Sequence, residues 1–189
     1  KTAYEIGVRL VGSEMCIRDS FFIVPEFIGQ NSFMNWSDVR SLIEAGMEVG
    51  SHSMSHPDFR KLNYDQAHFE LLSSKKIIEE KVSTTVKSFS FPFGFAPPKY
   101  VKLAKALGYL HIMGSQHGVI GTFDRNLLPR NSIHSHMSES QIIATLSASK
   151  SLKIAWKIED SVKPILKKLL PKPTYSIIKK LVAGKIRNF

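Results

Sequence analysis

Val49-Gly50-Ser51-His52-Ser53-Met54-Ser55-His56-Pro57 sets two imidazoles four positions apart, after a short apolar run and before a proline. Neutral imidazoles are good ligands for divalent metals, and two held close together make a pair. Spacing alone leaves two readings open. On a helix, residues i and i+4 share a face, and such pairs are often ordinary surface or packed histidines. Gly50 and Pro57 favour a loop at a strand end instead. An open catalytic zinc site needs at least one further ligand, commonly a carboxylate.

Outward from this stretch the chain alternates between two periodicities. Met47-Glu48-Val49-Gly50 reads as a short strand ending at the histidines. Before it, Phe21-Phe22-Ile23-Val24 reads as a buried strand stopped by Pro25. Between them, Val39, Leu42, Ile43 and Ala45 have helical spacing, with Ser37 as the expected N-cap and Gly46 as the C′ stop. Beyond the histidines, Asn63 is expected to cap a long helix with Ala67, Phe69, Leu71, Leu72, Ile77, Ile78 and Val82 on its apolar side. Val86 to Phe91 is a third strand, stopped by Pro92-Phe93-Gly94. Pro97-Pro98 opens a helix containing Val101, Leu103, Ala104 and Leu107, with Gly108 past its end. Tyr109 to Met113 is a fourth strand. Leu127-Leu128-Pro129-Arg130 reads as a short strand end, and Ser138 or Ser140 starts a helix through Leu146.

Strands alternating with helices predict an α/β fold with parallel strands, whose ligands bind at the carboxyl ends of the strands. The histidine pair, Pro92-Phe93-Gly94 and the stretch from Gly114 all fall at such ends.

A length of 189 residues suffices for one ordinary domain with a core. No apolar run approaches the roughly 18–20 residues of a spanning helix, and no basic region followed by an apolar core opens the chain. The net charge of +10 is uneven: residues 150–189 carry eleven Lys and Arg against Glu159 and Asp160.

Leu10 to Asp19, LVGSEMCIRD, back-translates as CTC GTG GGC TCG GAG ATG TGT ATA AGA GAC, which reads as a translated sequencing-library adapter. Residues 1–20 are therefore expected to be a non-native, adapter-derived or chimeric segment, and Cys16 carries no information on redox compartment. Residues 21–149 then form the expected α/β domain, and 150–189 a basic helical extension.

Residues 21–131 resemble the NodB-type polysaccharide deacetylases, metal-dependent carbohydrate esterases. The resemblance rests on Phe21-Phe22-Ile23-Val24, Glu44 to Pro57, Phe89-Ser90-Phe91-Pro92-Phe93-Gly94 and Leu107-Gly108-Tyr109, in that order. It implies a fragment of a distorted (β/α) barrel and removal of acetyl groups from N-acetylated or O-acetylated glycans. It also implies zinc or another divalent metal held by an aspartate and the histidines matching His52 and His56. Such an ion polarises the acetyl carbonyl and lowers the pKa of its water. The backbone N–H at Phe93, in a turn set by Pro92 and Gly94, is expected to help hold the oxyanion.

Three departures qualify what the resemblance implies. The family's Thr-Phe-Asp-Asp-Gly motif, which carries the metal aspartate and the general base, has no counterpart here, so the native start is expected to have been cut off and the chain to be weak or inactive. Ser90 stands where arginine is frequent, and Arg130 in Leu128-Pro129-Arg130 is expected to take over its electrostatic role. The later catalytic histidine has only positional candidates, His134 and His136. His68 and His111 read as ordinary helix and strand residues, and His117 as a strand-end residue that could border the cleft.

In the tail, Leu152, Ala155, Trp156, Ile158 and Val162 form an apolar side among lysines, while Pro164 weakens a single continuous helix. Packing on the domain is the expected fate of that side. Weak contact with an anionic membrane surface is the alternative. No nucleic-acid-binding module is recognisable, so no such partner is expected. Besides the enzyme, a non-catalytic glycan-binding or degenerate domain remains open.

Overall fold

The computed structural model describes residues 19–119, 126–135, 137–148 and 150–169. It divides into two compact units, Lys1–Ser115 with Asp124–Leu128, and Gln116–Phe123 with Pro129–Phe189. This division falls well before the change of composition at Lys150.

The first unit is built on four parallel strands in the order β1-β2-β3-β4, namely Ser20–Ile23, Glu48–Ser51, Ser88–Ser90 and His111–Met113. Leu128 adds an isolated parallel bridge to Met113. All four strands are shorter or shifted relative to the sequence reading. Val24, expected in β1, precedes the 3-10 turn Pro25–Phe27 instead, because Pro25 lacks the N–H a ladder requires.

Three helices connect these strands. Helix α1, Trp36–Glu44, is capped by Asn35 and not by Ser37. Asn35 Oδ1 accepts from the backbone N–H groups of Ser37 and Asp38 at 2.8 and 3.1 Å, and Asp38 returns a bond to the Asn35 N–H at 2.9 Å. This reciprocal capping box outcompetes a lone serine two residues later. Gly46 does follow the helix at φ +82°, a left-handed conformation that glycine adopts without a Cβ penalty.

Helix α2, Tyr64–Val82, starts at Asn63 as expected, again with a capping box, here to Gln66. Ala67, Leu71, Ser74 and Ile78 form its buried stripe. Phe69, assigned to the apolar side, is exposed, because it lies between turns of that stripe. Helix α3, Pro98–Ala106, ends before Gly108 at φ +85°.

The core lies on both faces of the sheet, as parallel strands require. Phe59 is its hub: the ring meets Phe89, Phe91 and Tyr100 edge-on at 5.9, 5.0 and 5.9 Å. Two polar contacts fix α2 to the strands: the Ser51 and Ser74 hydroxyls bond at 2.8 Å, and Tyr109 Oη donates to Leu71 O at 3.0 Å.

In the second unit, α4 spans Glu139–Ser147 with Ser138, the first of the two expected serines, as N-cap. Helix α5, Lys150–Leu169, continues through Pro164, so the expected weakening there does not end it. One side of α5 is covered: Trp156 is buried and stacks on His117 at 5.7 Å. The other side leaves Ile154, Ile158 and Val162 exposed. Among the described residues, no helix is long and apolar enough to cross a membrane.

Candidate functional site

The histidines lie in a loop and not on a helix. Strand β2 ends at Ser51, and the His52 N–H continues the ladder by donating to Ile23 O at 2.8 Å. Gly50 is required just before it, since a Cβ there would come within 2.7 Å of the Phe22 ring and 3.0 Å of Ser88 O. The chain then turns sharply, with Ser53 at φ +69° and His56 at φ +61°. Ser53 Oγ accepts from the His56 N–H at 3.0 Å and closes the turn. The two imidazole centroids end 4.9 Å apart.

A carboxylate holds this loop in place. Glu70, on α2 and nearly buried, accepts from the backbone N–H groups of Met54 and Ser55 at 2.8 and 3.0 Å, and from Ser55 Oγ at 2.6 Å. Three donors on one carboxylate offset the cost of burying its charge. Met54 O also accepts from the Glu26 N–H at 3.2 Å, which ties the loop to the segment after β1. Downstream, the Arg60 guanidinium beside Asp58 holds its carboxyl below the ordinary value, and Arg60 also lies over the Phe95 ring at 3.6 Å.

Each imidazole has a defined neighbour. His52 Nδ1 lies 2.6 Å from Ser90 O. A carbonyl can only accept, so Nδ1 carries the proton and the lone pair resides on Nε2. His56 packs edge-on against Phe93 at 4.8 Å. Ser90 itself is fully buried, and its Oγ has no hydrogen-bond partner among the described residues.

Phe93 sits in the 3-10 turn Pro92–Gly94 at φ +56°, ψ +5°. With Ser53 and His56 it makes three non-glycine residues of positive φ around one site, the clustering of backbone strain found where geometry is imposed by function. Gly94 has no room for a side chain, since an added Cβ would overlap Ser115 Cβ and Oγ.

His52, His56 and Phe93 thus come together at the carboxyl ends of β2 and β3, as the sequence anticipates. Arg130 and His134 belong to the second unit. The Arg130 N–H donates to Gln116 O at 2.9 Å. Although that residue is exposed overall, desolvation by the protein around its guanidinium lowers its pKa from the ordinary value. His134 is exposed, with its N–H toward Met137 Sδ at 3.2 Å. His136 lies outside the described residues. His117 is held by Asp160, whose Oδ1 lies 3.1 Å from Nδ1 and whose Oδ2 accepts from the His117 N–H at 3.0 Å. His68 stacks on Tyr64, and His111 Nδ1 lies 3.3 Å from Ser88 Oγ. Asp19 is at the amino end of β1, where its carbonyl accepts from the Glu48 N–H at 2.9 Å. Among the described residues no third His, Cys, Asp or Glu joins the pair to complete a metal cluster.

The model of the family described as polysaccharide deacetylase matches residues 14–112, just over half of the chain. The chain belongs to the polysaccharide deacetylase family. The polysaccharide deacetylase BC0361 of Bacillus cereus superposes with a TM-score of 0.66 at 19% identity, over 76% of this chain and 46% of that one. The Streptococcus pyogenes deacetylase PplD, solved with acetate, gives 0.64 at 18% identity over 68% and 58%. Bacillus subtilis YxkH, whose name assigns it provisionally to the polysaccharide deacetylases, is 22% identical over 93 residues, 49% of this chain and 33% of that one. The chain therefore spans roughly a third to three fifths of these relatives. The superpositions establish the α/β fold of a polysaccharide deacetylase for this chain.

Glu70 is the site residue that sequence reading missed. It falls three residues after Ala67 and four before Ser74, within the buried stripe of α2. A carboxylate in such a stripe must find partners, and that was the available signal.

Proposed function

We propose that the native protein containing this chain is a metal-dependent hydrolase that removes acetyl groups from an N-acetylated or O-acetylated glycan. The observation that carries this reading is the pairing of His52 with His56 beside Phe93, at the strand ends of a polysaccharide deacetylase fold. The donor set fits a divalent cation such as zinc. The Nδ1–H of His52 is engaged by a carbonyl, the usual way a ligating histidine is oriented, and the second imidazole is adjacent. The chemistry such a cation supplies when bound is Lewis acidity toward a carbonyl and a lowered pKa for water.

The remaining roles fall to the chain itself. Ser90 O orients His52, and Glu70 holds the loop that orients His56. The backbone N–H of Phe93 is assigned to the developing oxyanion. By the family resemblance, Arg130 is assigned an electrostatic role toward the base, and His134 or His136 that of the later catalytic histidine. The 189 residues contain no Asp-Asp pair, so little acetate release is expected from them alone.

The test is the native gene. An Asp-Asp pair about 25–35 residues before Phe21, the length of one βα unit, is expected in an intact upstream sequence. That full-length protein should release acetate from N-acetylated chito-oligosaccharides and retain zinc. His52→Ala should abolish zinc retention, and unchanged zinc content would show that the ligands are wrongly assigned. An intact upstream region lacking the pair would instead leave a glycan-binding or degenerate domain.

A second reading has its own observation. Ile154, Ile158 and Val162 are exposed on α5 beside the exposed Lys153 and Lys157, the pattern of a helix lying on an anionic bilayer surface. Co-sedimentation with phosphatidylserine-containing vesicles should then fall when residues 150–189 are deleted. Equal binding rejects this reading.

A further inference from the structure

Two short loops carry the site, and one exposed side chain bridges them. Asp58 and Arg60 follow His56 by two and four residues, and Phe95 follows Phe93 by two. The Arg60 guanidinium lies 3.6 Å from the centre of the half-buried Phe95 ring. Asp58 keeps it there. The Asp58 carboxylate accepts from Arg60 Nε at 2.9 Å and from Nη2 at 2.5 Å. It also accepts from the Arg60 backbone N–H at 3.1 Å, so one group fixes both the arginine and the 3-10 turn Phe59–Lys61 that carries it. A guanidinium held at two points keeps a defined plane, and a planar cation suits an aromatic face.

Global stability does not explain this arrangement. The Arg60 side chain is 48% exposed and that of Asp58 16%, and ion pairs so open to water contribute little to folding. The turn is anchored without them: Phe59 is fully buried against Phe91 and Tyr100, and Leu62 O accepts from Tyr100 Oη at 2.6 Å. What the arginine adds falls on the other loop. Phe93 has φ +56° and Gly94 φ +71°, and a strained residue such as Phe93 persists only where its surroundings hold it. The Gly94 N–H donates to Phe91 O at 2.9 Å, and Gly94 O accepts from the Ser115 N–H at 3.1 Å. The next residue is Phe95, and Arg60 covers it.

We propose that Arg60 is a positioning residue for the deacetylation site: through Phe95 it holds the Phe93 turn against the histidine loop. The proposal rests on the deacetylase reading, which assigns the Phe93 N–H to the developing oxyanion. In this role Arg60 acts only through the ring, and its loss leaves the groups that bind substrate in place.

The test has two arms. In this chain without metal, amide hydrogen exchange at Gly94 reads the closure of the turn, and Arg60→Ala should speed it about tenfold with the thermal midpoint unchanged. In the zinc-loaded full-length enzyme, Arg60→Ala should lower kcat on N-acetylated chito-oligosaccharides about tenfold at constant KM, the pattern of an interaction realised in the transition state. Phe95→Leu should do the same. Adding Arg60→Ala to Phe95→Leu should change nothing more, because the arginine acts through the ring. Parent exchange at Gly94 in Arg60→Ala overturns the proposal. So does an additive loss in the double variant. A raised KM with parent kcat also overturns it, since Arg60 would then be a substrate contact. Release of no acetate by the full-length parent overturns the deacetylase reading and this catalytic role with it, while exchange at Gly94 reports separately whether Arg60 holds the turn.

Discussion

Glu70 shows how much of the site depends on a residue far from it in sequence. The backbone between the two histidines has two left-handed residues, Ser53 and His56, and such conformations persist only where surrounding contacts over-determine them. The Glu70 carboxylate supplies three of those contacts. Glu70→Ala leaves the half-buried Met54 and Ser55 N–H groups without their carboxylate acceptor. A fully buried unsatisfied group costs about 1–3 kcal/mol and a half-buried one less, so a destabilisation of ~1–2 kcal/mol is expected in urea unfolding, with faster amide exchange at Met54 and Ser55. Wild-type exchange at both amides would show that Glu70 does not hold the loop. Ser90 teaches the converse lesson. The side chain stands where the family resemblance leads one to expect arginine, yet it is the Ser90 carbonyl that bonds His52, and any residue there carries one.

At the scale of elements, the boundaries were decided by capping and by proline. The sequence Asn35-Trp36-Ser37-Asp38 contains two good caps, and periodicity alone does not choose between them. Asn35 prevails because Asp38 stands at the third helical position and returns a hydrogen bond. Asn35→Ala should therefore cost ~1 kcal/mol in chemical denaturation, and Ser37→Ala only a few tenths. A larger loss from Ser37→Ala would reverse the assignment. The caps at Asn63 and Ser138 and the helix stops at Gly46 and Gly108 were legible in the sequence, because each depends on groups within a few residues. Strand limits were not, since a strand ends where its neighbour stops pairing. Strand β3 keeps only three of the six residues its pattern suggests.

For the molecule as a whole, the tyrosine that locks α2 to the sheet sets an alkaline limit. Burial pushes the Tyr109 hydroxyl up to about 12 from 10.0, while Tyr109 Oη donates to Leu71 O. In the unfolded chain the phenol ionises near 10, and in the folded chain only near 12. The folded state therefore holds the extra proton in that interval, and stability falls as pH rises through it. At 1.36 kcal/mol per unit the loss is of order 2–3 kcal/mol. Denaturant melts between pH 9 and 12 should show this decline, and Tyr109→Phe should flatten it. An unchanged decline in the phenylalanine variant would assign the effect to other groups.

By itself the sequence determined the alternation of strands and helices, the parallel α/β class, the family, and the location of His52, His56 and Phe93 at strand ends. All of these follow from local periodicity, local turn chemistry and short ordered motifs. Only the tertiary structure decided that the imidazoles meet in a loop 4.9 Å apart, that Ser90 O and Glu70 position them, and that Arg60 lies over Phe95. Those relations join α2, β3 and the turn after β3 to the stretch from His52 to Arg60. Residues 15 to 40 positions apart become neighbours only when the sheet is assembled, and no periodicity along the chain records them.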